Sequence, residues 1–94
     1  MPFLIFEPSA DVTDDILRSK TTYAKVRFDP YEAFVDAKLQ KTSGQNDCWT
    51  AQVDYIPRHH NIPLSEQKAV LCLSRGELGR TLGSIELGPI PTGQ

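Results

Sequence analysis

Long apolar runs are missing from this 94-residue chain. No segment approaches the ~20 apolar residues that span a bilayer, and Phe3–Phe6 is too short for the core of a signal peptide. The first residues also lack the basic cluster that precedes such a core. These absences lead to the expectation of a cytoplasmic protein without membrane contact. Cysteine is scarce: Cys48 and Cys72 are too few for a disulfide scaffold and lie far apart in sequence. Whether they pair is open, although Cys72, inside the apolar run Ala69–Leu73, reads as a buried, inert thiol. Neither sign of charge dominates. The net charge of −2 gives no general electrostatic reason to bind nucleic acid. No repeat or low-complexity tract is present, and 39% hydrophobic with 23% charged residues suits one folded domain with a single core.

Intact catalytic patterns are missing too. Ser74–Thr81, SRGELGRT, follows an apolar strand as a phosphate-binding loop would, but serine and arginine stand where glycine and lysine are needed. Gly83 and Gly88–Pro89 argue against the helix that must follow such a loop. They also leave no room for the recognition helix of a helix-turn-helix reader. Gly76–Gly79 fits G-x-x-G, where Glu77 would repel phosphate. The adjacent His59 and His60 offer imidazoles for acid–base or metal chemistry. With Cys48 and Cys72, however, they form C-x10-H-H-x11-C, which matches no common zinc spacing. No metal or cofactor is expected. No stretch resembles a known family closely enough to carry residues across.

The most organised stretch is Thr21–Gly44. Ala24, Val26 and Phe28 alternate with Tyr23, Lys25 and Arg27, the pattern of a strand with one buried face. Asp29, Pro30 and Glu32 then resemble a helix start, with a capping carboxylate, a first-turn proline and a capping-box acid. Tyr31, Phe34, Val35 and Leu39 fall near one helical face, and Gly44 supplies a stop. The spacing therefore predicts a helix over 30–42. The competing reading places Ala33, Val35, Ala37 and Leu39 on the inward face of a strand.

Around this stretch, Phe3–Phe6 reads as a strand buried on both faces or at an inner position in a sheet, and Ser9 or Asp11 as the cap of a short helix containing Val12, Ile16 and Leu17. Cys48–Ile56 alternates clearly, with Trp49, Ala51, Val53 and Tyr55 on the inward face. Pro57–Glu66 is a proline-bracketed loop and the first place to seek a site. Lys68–Ser74 and Arg80–Leu87 read as a hairpin around Gly76–Gly79, with a helix over 65–74 as the alternative.

The expected architecture is thus α+β: a two-layer sandwich of about five mainly antiparallel strands with two helices on one face. Residues 1–87 would form the domain and 88–94 a flexible C-terminal tail. The expected function is a small non-enzymatic binding or regulatory protein that docks to a macromolecular partner. Its contact residues would be Arg58, His59, His60 and Asn61 in the loop, with Arg80 and Glu86. An unpaired edge at Arg80–Leu87 would allow self-association. Two alternatives remain. One is a single-stranded nucleic-acid module using Tyr23, Lys25 and Arg27 as a platform with two cations. The other is a small His-dependent or metal-dependent enzyme built on Arg58, His59 and His60.

Overall fold

Strand alternation governs almost the whole chain. The computed structural model describes residues 2–42 and 47–89. Among these, seven strands form two antiparallel sheets: β1 (Phe3–Phe6), β2 (Thr22–Asp29), β3 (Ala33–Asp36), β4 (Lys38–Lys41), β5 (Trp49–Gln52), β6 (Lys68–Arg75) and β7 (Thr81–Pro89). The first sheet has the order β1-β5-β4 and the second β3-β2-β6-β7. One five-residue helix, α1 (Asp14–Arg18), follows β1, and a single 3-10 turn at Leu64–Glu66 precedes β6.

The two-helix α+β expectation is therefore wrong: the described residues form a β-sandwich with one short helix. The reason lies at Asp29–Glu32. Glu32 has a left-handed φ of 54°, which a right-handed helix does not contain, so the residues that resemble a helix start form a tight turn instead. Beyond the turn, Val35 is buried and Ala33, Ala37 and Leu39 pack against the core, so the strand reading of 30–42 holds. Ala37 is a corner. Its N–H donates to the Ala24 carbonyl at 3.1 Å, after which the chain leaves β2 and continues as β4 in the other sheet. The two sheets are thereby joined along one edge by nearly continuous backbone. Along the other edge β1 lies beside β7.

The core fills the space between the sheets. Val26, Phe28, Ala69, Leu71 and Leu73 point in from the four-stranded sheet, and Leu4, Phe6, Trp49 and Ala51 from the three-stranded one. Val12 and Leu17, also buried, come from the loop and helix after β1. Gly83 permits that closure: a Cβ there would stand 2.8 Å from Val12 Cγ2. The helix cap is Thr13, whose Oγ1 accepts the Ile16 N–H at 3.4 Å, rather than Ser9 or Asp11. Ser9 instead accepts the Val12 N–H in a local turn at 3.0 Å.

The hairpin reading of the C-terminal half holds, with β6 and β7 paired. Of the expected tail, Gly88 and Pro89 close β7, and residues 90–94 lie outside the described part. The helix stop expected at Gly44 also lies outside it. Two details differ. Strand β5 ends at Gln52 and leaves Tyr55 58% exposed. Strand β1 is buried on one face only, with Phe3 and Ile5 turned outward. Both cysteines are free and half-buried, and Cys72 points outward from β6. Burial raises its thiol pKa.

Candidate functional site

The loop Pro57–Glu66 is fastened from beneath. Gln67, 2% exposed, directs its Nε2 to the Ile62 carbonyl at 2.9 Å and the His59 carbonyl at 3.5 Å. The Tyr31 hydroxyl reaches both Gln67 Oε1 at 2.8 Å and the Pro57 carbonyl at 2.5 Å. Burial raises the Tyr31 pKa. The His59 ring packs obliquely on Tyr31 with centroids 5.7 Å apart, and its Nδ1 accepts the Asn61 N–H at 3.2 Å. Arg58, His59, His60 and Asn61 are exposed on this pinned loop. Among the described residues, no three His, Cys, Asp or Glu side chains converge in a group able to hold a metal.

The remaining contact residues inferred from sequence do not all gather there. Glu86 lies opposite Val70 and pairs with Lys68 at 3.4 Å, near the loop. Arg80 is at the other end of the hairpin, where its carbonyl accepts the Arg75 N–H at 2.8 Å. The length of β6, roughly 24 Å, separates it from the histidines. Strand β7 is the edge of its sheet, but its register slips twice, bulging at Leu82 and Leu87. Such bulges, with Gly83, Gly88 and Pro89, obstruct pairing with another strand.

Tyr23, Lys25 and Arg27 do share the outer face of β2, and the structure adds Phe34 opposite Arg27, 55% exposed. The cations, however, are engaged within the protein. Arg27 holds Asp29 with two hydrogen bonds of 2.9 and 3.1 Å, and the Lys25 ammonium lies 5.5 Å from the Tyr23 ring centroid, over the surface a base would need. Asp36, facing the Tyr23 hydroxyl, raises its pKa. Lys25, Arg27 and Lys68 on this face are matched by Asp29, Asp36 and Glu86, leaving no net positive charge to attract phosphates.

A cleft of about 400 Å³ opens where the chain turns the corner at Ala37, lined by Leu17, Arg18, Thr22, Tyr23, Asp36 and Leu39 among others. Its polar groups serve the fold. Arg18 Nε donates to Asp14, and Thr22 Oγ1 donates to the Ile16 carbonyl at 2.7 Å. Asp14 also accepts from Trp49 Nε1 at 3.0 Å and Lys41 Nζ at 3.3 Å. Arg18 foremost, then Trp49 and Lys41, hold the Asp14 carboxyl down at about 2.

The outer face of the three-stranded sheet is different in kind. Phe3, Gln52 and Lys38 form one cross-strand row and Ile5, Thr50 and Gln40 the next. Phe3 and Ile5 are 53% and 60% exposed. A hollow of about 210 Å³ lies among Phe3, Gln40, Thr50 and Gln52. Sequence reasoning missed this face by treating four successive apolar residues as buried. A strand with a core on one side must still turn alternate residues outward, so the run itself held the signal.

The chain matches no protein-family model, no curated protein and no solved structure.

Proposed function

We propose that this domain is a non-enzymatic binding protein that docks to a macromolecular partner through the outer face of the three-stranded sheet. One observation carries the reading: two large apolar side chains, each more than half exposed, stand side by side on β1 among uncharged amides and a hydroxyl. Isolated exposed apolar residues are ordinary, whereas adjacent ones beside a hollow suit a contact that excludes water. The other sheet's outer face supports the choice by contrast, since its charges are matched one against another.

The test is chemical cross-linking in the native cell, which traps weak contacts, followed by recovery of the C-terminally tagged protein. Phe3→Ser with Ile5→Ser should abolish recovery of the cross-linked partner and leave the melting temperature within a few degrees of the parent. Lys25→Ala with Arg27→Ala should leave recovery unchanged. Retention of the partner by the Phe3/Ile5 variant would overturn the proposal.

A further inference from the structure

Building on that docking reading, we infer that the partner seated on this face is a second copy of the same chain. The face is self-complementary in charge. Lys38 is exposed at one corner, in the row of Phe3 and Gln52. Glu7, exposed one residue past β1, continues the outward alternation of Phe3 and Ile5 to the diagonally opposite corner. With strands ~4.8 Å apart and ~6.8 Å between successive outward residues, the two corners are roughly 17 Å apart, too far to pair within one copy. Among the described residues neither Glu7 nor Lys38 has an ion-pair partner.

A two-fold axis lying in the face along the other diagonal, through Phe3, exchanges these corners. It places Lys38 of each copy against Glu7 of the other, twice over. The same operation sets Phe3 against its symmetry mate, Ile5 over Gln52 beside the hollow, and Thr50 against Thr50. Strands of the two copies then cross near a right angle, one of the two usual ways for sheets to pack. A contact of this kind is isologous and closed, so it stops at a dimer. Asp54, beside Lys38 and Gln52 at the margin, falls outside the exchanged rows.

The size of the face sets the strength. Three strands by three rows cover roughly 300 Å², well under the ~800 Å² that each partner contributes to a standard stable interface. The dimer is therefore weak and concentration-dependent, with a dissociation constant of about 10–500 μM.

Sedimentation equilibrium on the full chain, tagged only at its C-terminus, tests this between about 10 μM and 1 mM. The parent should shift from monomer to dimer across that range. Lys38→Glu and Glu7→Lys, which each create two like-charge contacts, should separately weaken the dimer about tenfold. An equimolar mixture of the two variants should restore association, because every corner contact is then attractive. A parent that stays monomeric at about 1 mM overturns the second-copy inference. So does a dimer insensitive to both charge reversals, or a mixture that fails to recover. The docking reading stands or falls separately: it survives a monomeric parent if Phe3→Ser with Ile5→Ser still loses a partner cross-linked in the cell, and fails if that variant keeps one.

Discussion

Removing one oxygen atom from Tyr31 should loosen the histidine loop. In Tyr31→Phe the ring remains to pack against His59, but Gln67 Oε1 and the Pro57 carbonyl lose their shared donor. Gln67 is almost fully buried, so water cannot readily replace that donor at its oxygen. A net hydrogen bond contributes about 0.5–1.5 kcal/mol, and an abandoned buried acceptor costs about 1–3 kcal/mol. Because the tyrosine is only partly buried, a loss of about 1–2 kcal/mol is expected. For a domain of this size that lowers Tm by roughly 5–15 °C. Gln67→Met, which keeps the volume but removes the donors to Ile62 and His59, should cost about 1–3 kcal/mol.

The two changes remove the same Tyr31–Gln67 bond. The double variant should therefore be more stable than the sum of the singles predicts, by about 0.5–1.5 kcal/mol. Urea unfolding of the four proteins supplies the cycle. Trypsin supplies an independent readout, since cleavage after Arg58 should accelerate in Tyr31→Phe as the loop opens locally. A Tm unchanged to within about 1 °C, or additivity within about 0.5 kcal/mol, would refute the claim that this network fastens the loop.

Three further outcomes follow from local geometry. The folded value of about 2 for Asp14 lies below its ordinary 3.8, so its stabilising contribution is complete above about pH 5 and is lost as pH falls through 4 toward 2. Acid titration of Asp14→Asn should accordingly show lower stability at neutral pH and a shallower loss over that window; an unchanged acid limb would remove Asp14 from the account. Gly79→Ala would place a Cβ 1.5 Å from the Arg75 carbonyl oxygen, forcing the backbone of the β6–β7 turn to move, and should lower Tm and broaden the amide NMR signals of 75–80, whereas an unperturbed spectrum would contradict the turn geometry. Glu32→Gly removes a left-handed cost of about 1 kcal/mol but adds freedom to the unfolded chain; Tm should rise by roughly 2–4 °C, and a fall would mean that the Glu32 side chain stabilises the turn.

Strands whose two faces differ in chemistry were legible in the sequence. Trp49, Ala51 and Val53 are buried, as are Ala24, Val26 and Phe28, because alternation is a local property. Residues 30–42 misled because Asp, Pro and Glu serve both a helix start and a tight turn, and small side chains such as Ala33 and Ala37 satisfy either period. The decision was tertiary: at the Ala37 corner the chain passes from the edge strand of one sheet to the edge strand of the other. Tyr55 was misplaced for a related reason, since alternation says nothing about where pairing stops. The candidate site was less legible than the fold. Arg58, His59 and His60 drew attention by their chemistry, while the face built around Phe3 and Ile5 is made of residues that carry no chemical label.

The two outer faces of the sandwich show why charged residues are a poor guide to where this domain offers a surface. On the four-stranded sheet nearly every ionic group has a local partner: Arg27 with Asp29, Lys68 with Glu86, and Lys25 against Tyr23 with Asp36 opposite it. Docking there would require breaking or desolvating contacts already made, a cost that attraction in water at most matches. On the three-stranded sheet, Phe3 and Ile5 lose only unfavourable contact with water when covered, and Gln40, Thr50 and Gln52 can exchange water for a partner's polar groups. Glu7 and Lys38, without an ion-pair partner among the described residues, stand at the margin, where pairing sets register and orientation more than affinity. Apolar area thus supplies the attraction on this face, and the two corners select which way round the occupant lies.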